Sequence, residues 1–188
     1  MLKKIILLGV VGLTGCTGIE HHVSPESNYQ VFNSPYSSAG IRSTGSERSF
    51  NLSDDFTSAI RTEGLAKDVY YPLRPDDKVD VVLDTKFESS VDTHGGSLAL
   101  KSFFIGFTMF LFEPLIWYDF DYVLSGEVSI FKNKQLIRKV SAKTDASISA
   151  KWLSLSDIKK EQDNMIVKAK KSLFSQLMTE VYKEKIVD

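Results

Sequence analysis

Asp119-Phe120-Asp121-Tyr122-Val123-Leu124-Ser125-Gly126-Glu127-Val128-Ser129-Ile130 alternates apolar and polar side chains. Phe120, Tyr122, Leu124, Val128 and Ile130 fall on one side, and Asp119, Asp121, Ser125, Glu127 and Ser129 on the other. A period of two residues is the signature of a strand with one face in a core and the other in water. Lys132-Asn133-Lys134 follows as a tight polar turn, and Leu136 to Ile148 returns as the partner strand, so the pair reads as a hairpin. Upstream, Val79, Val81, Leu83, Thr85 and Phe87 alternate with Asp80, Val82, Asp84, Lys86 and Glu88 in the same way. Lys67 to Tyr71 reads as a further strand ended by Pro72, and Pro75-Asp76-Asp77 as a turn.

Two helices flank these strands. Ser53 is placed to cap a short one, with Asp54 and Asp55 at its positive end, Phe56, Ala59 and Ile60 as its apolar stripe and Gly64 as a left-handed stop. The second begins near Ser154 or Ser156 and runs to about Glu184, with Ile158, Met165, Ile166, Ala169, Leu173, Leu177 and Val181 at helical spacing. Before the first helix, Ser34 to Ser49 is rich in Ser, Gly and Thr and reads as a loop, and Tyr29 to Phe32 as a short strand. Wet-faced strands need cover on their other face. The predicted fold is therefore α+β: an antiparallel sheet of about four to five strands packed on two helices, a two-layer sandwich with an apolar aromatic insert between strands.

The amino terminus carries a different signal. Met1-Leu2-Lys3-Lys4 is a short basic start, and Ile5 to Leu13 is an unbroken apolar run. That pattern is a secretory signal, too short for the roughly 20 helical residues that cross a bilayer. The run ends in Leu13-Thr14-Gly15-Cys16, which resembles the lipobox of bacterial lipoproteins at every position. The resemblance implies cleavage between Gly15 and Cys16, a diacylglycerol on the sulfur of Cys16 and, commonly, an acyl chain such as palmitate on the new amine. Each buried acyl CH2 contributes about 0.8 kcal/mol, so two or three chains hold where one is marginal. By analogy with enteric-type lipoproteins, Thr17 in place of Asp implies an outer-membrane address facing the periplasm. The resulting division is a signal peptide over residues 1–15, a tether over 16–27 and one periplasmic domain over 28–188.

Cleavage would leave 173 residues with 21 basic and 24 acidic side chains, without Lys3 and Lys4. A chain of that size buries a core without disulfides, which a single cysteine also rules out within the chain. Its charge offers no electrostatic footprint for nucleic acid.

The insert, about residues 97–118, is the unusual segment. Phe103, Phe104, Phe107, Phe110 and Phe112 are five of the 12 phenylalanines, and Glu113-Pro114 and then Trp117 and Tyr118 follow. The uninterrupted apolar run from Ser102 to Phe112 is about 16 Å as a helix, half of a hydrocarbon core of roughly 30 Å. Buried core is one reading. The other is a protruding element that meets a membrane or partner, with Trp117 and Tyr118 at the polar boundary. Curli-type export lipoproteins place membrane strands in a similar location, but those strands alternate polar and apolar residues, which this run does not.

Chemistry is sparse elsewhere. His21 and His22 are adjacent, point to opposite sides of an extended chain and lack further ligands nearby, so no metal is expected. Asp80 and Asp84 lie about 13 Å apart along one strand face, too far for paired acid–base work. No serine sits in a nucleophile motif, and no phosphate loop or cofactor site is present. The expectation is a non-enzymatic, lipid-anchored accessory or structural factor acting by contact with membrane or an envelope protein. Two alternatives stay open: a module carrying a lipid or other apolar ligand, and an oligomeric export component.

Overall fold

A computed structural model describes residues 19–25, 36–92, 117–151 and 155–187. In chain order these form β1 (Ile19–Val23), β2 (Tyr36–Ser43), α1 (Glu47–Glu63), β3 (Ala66–Tyr70) and β4 (Val81–Asp92). The hairpin strands β5 (Trp117–Lys132) and β6 (Gln135–Lys151) follow, and then α2 (Leu155–Val187). The six strands make one open sheet in the order β1-β6-β5-β4-β2-β3, and both helices pack against it.

The α+β reading holds, and the alternation quoted above is the centre of the sheet. Asn133 and Lys134 close the β5–β6 hairpin with φ of 51° and 66°, the left-handed pair that a two-residue turn needs to match strand twist. Phe120, Tyr122, Leu124, Val128 and Ile130 are all buried, as are Val81, Leu83 and Phe87 of β4. Helix α2 lays Met165, Ala169, Leu173, Leu177 and Val181 on this face. Phe56 of α1, Phe87 of β4 and Phe174 of α2 meet with ring centroids 5.3–5.8 Å apart, so one aromatic cluster ties both helices to the sheet. At the centre of that contact Gly126, opposite Phe87 in the ladder, leaves room that a Cβ would fill.

Four details depart from the expectation. The sheet is mixed, because β2 runs parallel to both β3 and β4. The β2–α1–β3 crossover returns the chain in the same direction, which no hairpin could do. The Ser34–Ser49 region is a strand over Tyr36–Ser43: Ala39 and Ile41 are fully buried, and Gly40 is covered by Leu73. Where Leu73 covers the strand, its middle is built from the small residues Ser38, Ala39 and Gly40, which locally resemble a loop.

Helix α1 begins at Glu47 rather than Ser53, with Ser46 at its cap. Ser53 is instead a buried mid-helix residue whose Oγ lies 2.8 Å from Thr85 Oγ1 and 2.9 Å from Ser43 Oγ. Gly64 ends the helix at φ 71°, as its position predicts. Finally, residues 19–23, expected within a tether, are edge strand β1 paired with β6 from Ile19↔Ala150 to Val23↔Ala146. Backbone pairing with β6 gives this polar segment its order, without apolar periodicity. Beyond it, Ser172 Oγ donates to the carbonyls of Ser24 and Pro25 at 2.8 and 3.2 Å, leading the chain off the sheet edge onto α2. Tyr29–Phe32 lies outside the described residues.

Candidate functional site

The register gathers several chain positions at one end of the sheet. Ile19, the first residue of β1, pairs with Ala150, which pairs on its other side with Tyr118. Ile19 and Tyr118 therefore lie two strand spacings apart in one row, about 10 Å. Trp117, one residue further out, pairs with Lys151. Next door, β4 runs outward to Asp92, opposite Asp121. β4 thus ends, and β5 begins, at the same end of the sheet as the first residue of β1.

Among the sequence-predicted site residues, Gly15, Cys16, Phe103, Phe104, Phe107, Phe110 and Phe112 lie outside the described residues. Trp117 and Tyr118 are the opening residues of β5. No described helix is long and apolar enough to cross a membrane.

The rest of the described surface shows where its polar groups are spent. On the sheet face away from the helices, Arg42 grips Asp84 with two hydrogen bonds of 2.6 and 2.8 Å, while Lys86 pairs with Glu88 and Lys139 with Glu127. Glu88 is held below, and Lys86 above, its ordinary pKa by their mutual hydrogen bond and charge. Asp80 accepts the amides of Ser37 and Ser38 at 3.0 and 3.3 Å, fixing the start of β2. The two aspartates weighed for acid–base work therefore serve an ion pair and a strand start. His21 sits 3.3 Å from Glu161 of α2. No group of three or more His, Cys, Asp or Glu side chains suited to a metal occurs among the described residues.

The buried hydroxyls also have structural partners. Ser49 Oγ donates to the Thr44 carbonyl and accepts the Phe87 amide, at 2.9 and 3.0 Å. Thr57 Oγ1 donates to the Ser53 carbonyl at 2.6 Å. Burial pushes the Tyr122 phenol above its usual range, with the Asp55 charge adding to the rise and a hydrogen bond with Ser89 opposing it. Sequence reasoning missed the sheet-end convergence, because it follows from strand register rather than from any motif.

No family model matches the chain, and no curated protein does either. Among solved structures, an uncharacterized lipoprotein B from Nitrosomonas europaea is 11% identical with a TM-score of 0.48, over 84% of this chain and 90% of that one. A minor lipoprotein from Acinetobacter baumannii is 10% identical with a TM-score of 0.44, over 79% and 90%. A dodecameric PelC from Paraburkholderia phytofirmans is 10% identical with a TM-score of 0.36, over 85% and 93%. At this depth none of the three likenesses bears on what this chain does.

Proposed function

We propose that the protein is a non-enzymatic, lipid-anchored domain of the bacterial envelope. Cys16 carries the acyl chains, and the sheet end bearing residues 93–116 faces the bilayer, where the domain acts as an accessory factor by contact. The supporting observation is the common row of Ile19, Ala150 and Tyr118. With only Thr17 and Gly18 between the lipidated position and the first strand, a reach of about 10 Å, the anchor behaves as a short leash and gives the domain one preferred face. The aromatic side chains at 103, 104, 107, 110 and 112 then meet the headgroup region at high local concentration, where weak insertion is enough. Thr17 directs this reading to the outer membrane, facing the periplasm.

The test is in two parts. Protein made with its leader should partition into membranes and yield an amino-terminal peptide carrying diacylglyceryl-Cys16, and Cys16→Ser should release it. The chain from residue 16 bearing Cys16→Ser should float with liposomes, and Phe107→Asp with Phe110→Asp should abolish that flotation. Equal flotation with and without the two aspartates contradicts docking through the aromatic segment. An unmodified Cys16 in the native protein contradicts the anchor.

A further inference from the structure

At the far end of the sheet from Ile19, a cleft of about 760 Å³ lies between the residue 71–80 loop and the sheet face opposite the helices. Its lining combines the half-buried side chains of Leu73, Val79, Val82 and Phe131 with the cations Arg42, Arg74, Lys78 and Lys134. The volume falls in the range of ordinary ligand sites, roughly 300–1,000 Å³. The cleft is open along one side, which suits an extended chain rather than an enclosed small molecule. Beyond the turn, Leu136, opposite Phe131 in the ladder, adds a 56% exposed apolar side chain.

The charges decide the occupant. The lining holds two carboxylates, which keep their charge while they fix backbone: Asp77 accepts the Arg74 amide at 2.8 Å and Asp80 accepts the amides of Ser37 and Ser38. Arg42 is committed to Asp84 and lies 5.9 Å from the Phe131 ring centroid. The side chains of Arg74, Lys78 and Lys134 have no carboxylate partner among the described residues. The left-handed Lys134, at φ 66°, is held at the rim by the hairpin turn itself. With the Arg42–Asp84 pair set aside, these three cations outnumber Asp77 and Asp80 by one, and around an apolar floor they complement a chain of alternating acidic and apolar residues.

We propose that this cleft docks an extended acidic segment of a partner protein, its apolar residues on Phe131, Val82 and Leu73 and its carboxylates on Arg74, Lys78 and Lys134. The preference for a protein over an anionic membrane rests on the orientation proposed above, which turns this end away from the bilayer.

The experiment uses the chain from residue 16 with Cys16→Ser, which contains every described residue and needs no anchoring. The probe is a fluorescent octapeptide alternating aspartate with leucine and phenylalanine, titrated by anisotropy. Binding should weaken about tenfold in the variant Arg74→Gln, Lys78→Gln, Lys134→Asn, and by a similar factor when the peptide's aspartates become asparagines. Asn is chosen at 134 because it tolerates a positive φ. The control variant Lys159→Gln, Lys160→Gln, Lys168→Gln on α2 should bind as the parent does, and all proteins should melt alike. No peptide binding, or equal losses in both triple variants, overturns the proposal. Binding to phosphatidylglycerol vesicles that the cleft variant alone loses, without peptide binding, overturns it in favour of a lipid surface. Failure of Cys16 lipidation would leave peptide binding intact.

Discussion

Replacing Gly126 with alanine tests the packing on which the two-layer fold depends. A Cβ built there lies 2.6 Å from one ring carbon of Phe87, 2.8 Å from another and 2.9 Å from Leu177 Cδ1. Carbon atoms in ordinary contact stand about 3.5–4.0 Å apart, so the overlap is about 1 Å. Neither neighbour has room to retreat. Phe87 is 2% exposed and is flanked by Phe56 at 5.6 Å and Phe174 at 5.8 Å, while Leu177 is fully buried. Overpacking of this kind costs about 1–3 kcal/mol. Against it, alanine restricts the unfolded chain more than glycine does, a gain of roughly 0.5–1 kcal/mol in a strand interior. The clash wins, with a net loss of about 1–2 kcal/mol. For a domain of this length that lowers Tm by roughly 2–8 °C in a reversible circular-dichroism melt. Phe87→Leu should recover part of the loss in the Gly126→Ala background while destabilising the parent, the non-additivity expected of touching residues. A Gly126→Ala protein as stable as its parent would refute this reasoning, since only the unfolded-state gain would then be visible.

Two further outcomes follow from buried polar groups. Ser53→Ala should cost about 1–2 kcal/mol by urea titration. The loss stays modest because Thr85 Oγ1 keeps its 3.1 Å bond to the Arg42 carbonyl, and a loss above about 4 kcal/mol would contradict that rescue. Stability should fall from about pH 10 upward, where unfolded tyrosines ionise while the raised Tyr122 phenol keeps its proton. The contribution is fully present below the unfolded pKa and is lost as pH rises through the folded one. Tyr122→Phe should flatten part of that slope, and Tyr71, raised by burial and the Asp54 charge, should retain another part. An unchanged slope in Tyr122→Phe would contradict the assignment.

The parts legible in the sequence are those where one face meets water. β4, β5 and β6 announce themselves by alternation, and α2 by its apolar spacing, because burial on a single side writes a period into the residues. β2 is hidden for a different reason: Gly40 is buried under Leu73 between the buried Ala39 and Ile41, so three consecutive buried residues interrupt the alternation and only Ser37 and Arg42 are fully exposed. β1 is hidden because an edge strand of five mostly exposed residues is stabilised largely by its ladder to β6, which needs no particular side chains. The start of α1 is ambiguous in the sequence because Ser53 has the chemistry of a cap as well as that of a buried hydroxyl. Parallel pairing and the meeting of Ile19 with Tyr118 across Ala150 are properties of register, set by contacts distant in sequence. The cationic cleft is likewise assembled from three separate stretches, at Arg42, residues 73–82 and residues 131–134.

The orientation at the membrane is open to a direct measurement. With the native thiol acylated as proposed, single cysteines can be placed and spin-labelled at Val91 and Leu136, which are 55% and 56% exposed at opposite ends of the sheet. Tyr122 and Phe131, their ladder partners, are nine residues apart on β5, which separates the labels by about 30 Å. With the protein anchored in vesicles, paramagnetic depth measurement should place the label at 91 near the headgroups and the label at 136 well out in water. Equal depths, or a deeper label at 136, would contradict a domain whose insert-bearing end faces the bilayer.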